Sequence, residues 1–229
     1  MTNQESRLDF NRIAKGYDRF NHLTSLGIDK IWRWKAVRMM QPAEHVLDVA
    51  VGTGDLALEM LKRTKAQKVV GIDLSEGMMQ IGREKAAKEG YSERVTFEMA
   101  SALELPYPDA SFDAVTCAYG IRNFSDPDQG LREMQRVLRP GGQLIILEFS
   151  LPRNRFIRFF YDLYFNQVMT RIGSLITHDR SAFRYFYQSV KHFIWGEEML
   201  QHLREAGFAD PKYRLQTFGI STHYTATKR

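Results

Sequence analysis

"LDVAVGTGDLALEM", Leu47 to Met60, is the stretch on which the reading of the whole chain turns. An apolar run carrying Asp48 passes into the glycine pair Gly52 and Gly54, and helical spacing of apolar residues begins at Leu56. A strand, a glycine turn and a helix in that order let a ligand approach the backbone and let the helix pack closely on the sheet. About twenty residues on, "VVGIDLS" ends a second strand in Asp73, whose carboxylate can accept hydrogen bonds from both hydroxyls of an adenosine ribose. NAD and S-adenosylmethionine both present that ribose, and phosphate distinguishes them. A pyrophosphate needs open amides at a helix N-terminus, whereas Asp55 follows Gly54 here and Ala57 takes the place of the third fingerprint glycine. Asp48 and Asp55 bracket the turn with negative charge, which suits the ammonium and sulfonium of adenosylmethionine. An NAD-dependent oxidoreductase is the disfavoured alternative.

Outward from the turn, "HVLDVA", "KVVGID", "RVTFEMAS", "FDAVTCAYG" and "QLIILEFS" alternate with helical patterns. Such alternation predicts βαβ units and a mostly parallel, doubly wound α/β sheet. "RPGG", Arg139 to Gly142, is expected to stop a helix and turn into the next strand. The C-terminal stretch predicts a helix and then an antiparallel hairpin turning near Gly219. One domain of 229 residues is read in four parts. Residues 1–41 form a helical lead-in, 42–150 the cofactor core, 151–195 an aromatic helical substrate insertion, and 196–229 the closing helix and hairpin.

Composition narrows the class. There is one cysteine, Cys117, so no internal disulfide and no cysteine cluster; no metal is expected. The N-terminus lacks a signal pattern and no apolar run is long enough to span a bilayer, so the expected location is cytoplasmic. The net charge of +5 is spread along the chain without a basic run, which argues against nucleic acid as a partner.

The pattern Asp48-x-Ala50-x-Gly52-Thr53-Gly54-Asp55, the strand "GIDLSEGM" and the loop "LPYPDASFD" resemble class I methyltransferases. "YDRFNHLTSLGIDKIWR", "YGIRNFSDPDQGLREMQRVLRPGGQLIILEFSLP" and "RIGSLITHDRSAFRYFYQSV" resemble, more narrowly, the C-methyltransferases of ubiquinone and menaquinone biosynthesis. The resemblance implies a seven-stranded Rossmann-like sheet with an antiparallel C-terminal hairpin. It also implies methyl transfer from adenosylmethionine to a ring carbon of a polyprenylated quinol, giving adenosylhomocysteine. Demethylmenaquinol is the preferred substrate and the ubiquinone precursor the alternative. By motif position the resemblance implies that Thr53 and Asp73 bind the cofactor, with Ser101 and Ala102 at the adenine wall; Asp48, Ala50, Gly52, Gly54, Leu74 and Tyr119 are read as cofactor residues beside them, and Tyr17 either as a cap on the cofactor carboxylate or as packing. Departures from the family pattern fall at Val51, Ser101, Ala118, Asp29 and His178; Ala118 replaces a serine, so no contact is assigned to it.

Ring methylation needs the adjacent phenol to lose its proton, so that the phenolate pushes electron density onto the attacking carbon. Arg122, in "GIRN" at a strand end, is a poor base because a guanidinium does not give up its proton in proteins; it is read as stabilising the phenolate or ordering a water, with Asn123 orienting a hydroxyl. His178 with Asp179 is the candidate base pair, and Tyr185 a candidate for a quinol oxygen. Each has a structural alternative in surface polarity or packing. "FIRFFYDLYFNQVM", Phe156 to Met169, reads either as core or as a wall for an isoprenoid tail. Its other functional reading is a peripheral membrane face, with Arg153, Arg155 and Arg158 at anionic headgroups. Oligomeric state is left open, a homodimer included.

Overall fold

The computed structural model describes Ser25, residues 27–164 and residues 180–229, with backbone alone for 180–185. In chain order the elements are α1 (Ile28–Arg38), β1 (His45–Val49), α2 (Asp55–Arg63), β2 (Lys68–Asp73), α3 (Glu76–Glu89), β3 (Val95–Met99) and β4 (Phe112–Ala118). Then come α4 (Pro127–Val137), β5 (Leu138–Phe149), α5 (Arg155–Leu163), α6 (Arg180–His192), α7 (Glu197–Glu205), β6 (Phe208–Gln216) and β7 (Ser221–Lys228). The seven strands form one sheet in the order β3-β2-β1-β4-β5-β7-β6. β1 to β5 are parallel, and β7 lies antiparallel between β5 and β6. Val46, Leu47, Asp48 and Val49 are all buried, as expected of a central strand covered on both faces.

Local signals set most helix starts. The Ser75 hydroxyl accepts from the Met78 amide at the start of α3, and Asp126 caps α4 with Pro127 in its first turn. Asn154 caps α5. α2 starts differently: its N-cap is Gly54 in the left-handed region with no side-chain cap of its own. Asp48, on the preceding strand, accepts from the Ala57 amide instead.

"RPGG" departs from expectation. α4 stops at Val137, and the next residue, Leu138, already pairs with Phe112 of β4; the ladder then resumes at Gln143 opposite Ala114. Arg139 to Gly142 therefore bulge within β5, with Gly141 in the left-handed region, rather than preceding the strand. Val51, the departure in the cofactor loop, is explained by Gly71 on β2. A Cβ at Gly71 would lie 2.6 Å from a Val51 methyl, so the missing side chain on one strand makes room for the extra one beside it. The closing turn falls at Thr217–Gly219, as the hairpin predicts, but Thr217 and Phe218 both take positive φ (44° and 58°). Among the described residues no helix is long and apolar enough to cross a membrane.

Candidate active site

Strand order reverses between β1 and β4, and at such a switch point an open α/β sheet leaves a crevice beyond the carboxyl ends of its strands. A cavity of about 370 Å³ occupies it, walled by the loops after β1, β2 and β4 and by Ala100 to Leu103 after β3. Its size lies in the range of small-molecule and cofactor sites. Two wall residues, Ala50 and Tyr119, hold left-handed backbone (φ 56° and 58°). Strain of this kind at non-glycine residues gathers at ligand sites. Gly120 is obligatory between them, because a Cβ there would sit 2.4 Å from the Ala50 methyl.

The predicted cofactor residues converge. Asp48, Ala50, Gly52, Thr53, Asp73, Leu74, Ser101, Ala102 and Tyr119 all face the cavity. Gly54 does not; it sits behind the turn, where Phe97 would meet any side chain at 2.9 Å. Asp73 accepts from the Gly52 amide (2.8 Å) and the Ser75 amide (2.9 Å), which orients its carboxylate at the end of β2. Burial raises its pKa despite those amides. Ala118 also lines the wall, where only its backbone and methyl are available.

The negative charge expected at the turn is largely compensated within the fold. Asp55 does not present an open negative charge, because Lys85 of α3 binds it at 2.6 Å and also donates to the Thr53 hydroxyl at 3.0 Å. Arg33 of α1 approaches the other Asp55 oxygen at 3.5 Å. Arg33 is buried, paired with Asp29 at 2.5 Å, and lies over the Tyr119 ring. Burial opposes its charge, but Asp55, Tyr119 and Asp29 outweigh that and raise its pKa. It is the one cation on the cavity wall among the described residues, set against Asp48, Asp55 and Asp73. Sequence reading missed Arg33, Lys85 and Glu148. Nothing local in "IWRWK" distinguishes an inward arginine from a solvated one, and both partners of Lys85 lie some thirty positions away.

Asp48 is nearly inaccessible and accepts from the Thr116 hydroxyl at 2.6 Å. Burial lifts its pKa to about 7, against the pull of Thr116 and Arg33. His223 on β7 shifts oppositely: burial, with Lys35 and Arg214 nearby, lowers it to about 4. A raised acid stabilises the fold below its unfolded pKa and loses that as pH rises through its folded value; a lowered histidine does the reverse. Relative to wild type, Asp48→Asn should therefore gain about 3–4 kcal/mol between pH 4 and 7, and His223→Leu should lose a similar advantage between pH 4 and 6.5. Denaturant unfolding of cofactor-free protein across that range checks both slopes, and parallel profiles would contradict them.

"GIRN" divides its two polar residues. Asn123, in the one-turn 3-10 helix Ile121–Asn123, lines the cavity. Arg122 is not on the cavity wall. It points inward to Glu148 (2.7 Å), also donates to the Tyr119 carbonyl, and reaches the Ser189 hydroxyl of α6 at 3.3 Å. Its guanidinium lies over the Phe149 and Phe186 rings, and the ion pair is almost fully buried. Tyr185 falls on α6, its side chain outside the described residues, as are Tyr17, His178 and Asp179.

A seven-stranded sheet of this order, with an acid at the end of β2 and a glycine turn after β1, defines a class I adenosylmethionine-dependent methyltransferase. Solved structures share the architecture. A SAM-dependent methyltransferase of Thermotoga maritima superposes with a TM-score of 0.68 at 24% identity, over 96% of this chain and 98% of that one. Phosphoethanolamine N-methyltransferase 2 of Haemonchus contortus, solved with S-adenosyl-L-methionine, gives 0.63 at 18% identity, over 98% and 61%. The chain belongs to the ubiE/COQ5 methyltransferase family, whose sequence profile matches residues 2–228. It is 44% identical over 221 residues to a demethylmenaquinone methyltransferase of Bacteroides fragilis, covering 96% of this chain and 90% of that protein. It is 46% identical over 222 residues to the ubiquinone/menaquinone biosynthesis C-methyltransferase UbiE of Geobacter sulfurreducens, covering 96% and 86%.

Proposed function

We propose that the chain methylates a ring carbon of demethylmenaquinol, a polyprenylated quinol, using adenosylmethionine. The observation that carries this reading is the 44% identity, over 96% of the chain, to a demethylmenaquinone methyltransferase, and the charge set of the cavity agrees with its cofactor. That set matches a zwitterionic, cationic nucleoside: Asp73 for the ribose hydroxyls, Asp48 for the ammonium, and Arg33 for the carboxylate. Ser101 and Ala102 form the adenine wall. Bound there, adenosylmethionine supplies an electrophilic methyl group on sulfur.

The chain's own residues must then hold the quinol and favour its phenolate. Asn123 on the wall orients a quinol hydroxyl. Arg122 is a positioning residue: gripping Glu148 and the Tyr119 carbonyl, it holds the Ile121–Asn123 turn and places a buried positive charge behind it. His178 with Asp179 is the candidate proton acceptor, because an imidazole titrates near neutral pH, and Tyr185 is a candidate for the second quinol oxygen. Tyr17 is a candidate for closing over the cofactor carboxylate.

A peripheral membrane contact belongs to the same reading, since a polyprenylated substrate resides in lipid. It is supported by α5, where Phe156, Phe159 and Phe160 are 72%, 63% and 50% exposed while Tyr161 alone is buried. Arg153 and Arg155 are exposed at the N-terminal end of that helix, whereas Arg158 within it is paired with Asp162 at 3.0 Å.

The name of the Geobacter relative favours a second substrate, the benzoquinol precursor of ubiquinone. Purified protein with adenosylmethionine and short-chain forms of both quinols tests the choice. Turnover is expected on demethylmenaquinol; turnover on the benzoquinol alone would reverse the assignment, and none on either would remove it.

A further inference from the structure

We infer that the Thr217–Gly219 turn, led by Phe218, is a second lipid-inserting element, which with α5 seats the ligand edge of the sheet against an anionic bilayer surface. The inference rests on the peripheral contact proposed for α5 and adds a separate anchor to it.

Phe218 is the most exposed large apolar side chain among the described residues, at 75%. It is also held in left-handed backbone (φ 58°, ψ 18°), directly after Thr217 at φ 44°. Bulky and β-branched residues rarely take that conformation, so water-exposed phenylalanine there serves neither solubility nor backbone geometry. The turn is nevertheless braced. The Ser150 hydroxyl donates to the Gly219 carbonyl at 2.8 Å, and the Ser150 amide to the Ile220 carbonyl at 3.0 Å. Trp32 donates its indole N–H to the Thr217 hydroxyl at 2.8 Å. The backbone of Gly219 backs onto Pro152, where a Cβ would lie 3.5 Å from its Cα. An apolar ring is thus presented outward on a fixed support.

Its position follows from strand direction. β6 and β5 are both antiparallel to β7, so β6 ends at the edge where β1 to β5 end and where the cavity opens. Residues 150–152, which clasp the turn, lead through the Asn154 cap into α5. Outside α1, every exposed large apolar side chain among the described residues belongs to this edge or to α5: Leu74, Met99, Leu215 and Phe218 beside the α5 stripe. Exposed Arg214 lies on β6 four residues before Phe218, and exposed Arg153 and Arg155 follow directly on residues 150–152, which fits anionic headgroups around inserted apolar rings.

A polarity-sensitive fluorophore at Phe218→Cys tests the inference; Cys117 is fully buried and remains unlabelled. With vesicles of phosphatidylglycerol and phosphatidylcholine, emission should shift to the blue at position 218. It should not shift at Lys65→Cys, before β2 on the opposite edge. Vesicle binding with a label at 218 that stays in water would overturn the second anchor while leaving the α5 contact intact. No binding of the unsubstituted protein to these vesicles would overturn both. Phe218→Gly should weaken vesicle partitioning several-fold to about tenfold and raise the melting temperature, because glycine takes the left-handed region freely. A lowered melting temperature with unchanged partitioning would make Phe218 a packing residue and overturn the inference.

Discussion

Arg122→Ala is expected to lower stability by about 3–5 kcal/mol, the usual result of removing one member of a buried ion pair. Glu148 is almost wholly enclosed, and burial raises its pKa despite the pull of Arg122. Without the guanidinium it must take up a proton or remain an uncompensated charge, and the Tyr119 carbonyl loses a donor. Arg122→Ala, Glu148→Gln restores a neutral pair and should recover part of the stability. Arg122→Lys retains the charge but not the forked grip on Glu148 and the Tyr119 carbonyl. In that variant kcat should fall much more than adenosylhomocysteine affinity, because the turn carrying Asn123 is disturbed while Asp73 is untouched. Chemical denaturation with calorimetric titration checks both parts. Unchanged stability of the alanine variant, or equal losses of kcat and affinity in the lysine variant, would show that Arg122 has been given the wrong role.

Arg33→Met is expected to weaken adenosylhomocysteine binding by about 10–100-fold, the worth of a charge-assisted hydrogen-bonded contact. The side chain is the one cation on the described cavity wall, and three acids already share that space. A decarboxylated cofactor analogue separates carboxylate binding from general damage to the loop. Wild type and variant should bind that analogue with similar affinity. If the variant loses as much affinity for the analogue as for adenosylhomocysteine, Arg33 supports the Asp55 and Lys85 network rather than the carboxylate. Asp55 and Asp29 each keep another partner in the variant, Lys85 for Asp55 and the Ser25 hydroxyl for Asp29, so the protein should still fold.

That most of the residues assigned to the cofactor would line one cavity was legible because they lie at fixed short distances along the chain. The glycine turn, Asp48 and Asp73 stand at consecutive strand ends, and a parallel sheet brings consecutive strand ends to one edge. That same rule placed Ser101, Ala102 and Asn123 on the cavity wall. The reason given for Asp55 failed on a long-range fact. Its acidity pointed to a cationic ligand, yet Lys85 and Arg33, about thirty and twenty positions away, already accompany its charge. The cofactor assignment stands on Asp73, the turn and the family instead.

By itself, then, the sequence determined the α/β class, the closing hairpin, the cofactor and the family, all of which depend on periodicity, strand-end residues and motifs read locally. Only the tertiary structure decided that Asp48 caps α2 from its strand, that Val51 fits because Gly71 lacks a side chain, and that Arg122 faces Glu148 while its neighbour Asn123 faces the cavity. Those outcomes depend on which side chains meet across separate strands and helices. Burial then magnifies each meeting, because a charge removed from water must find its partner inside the fold.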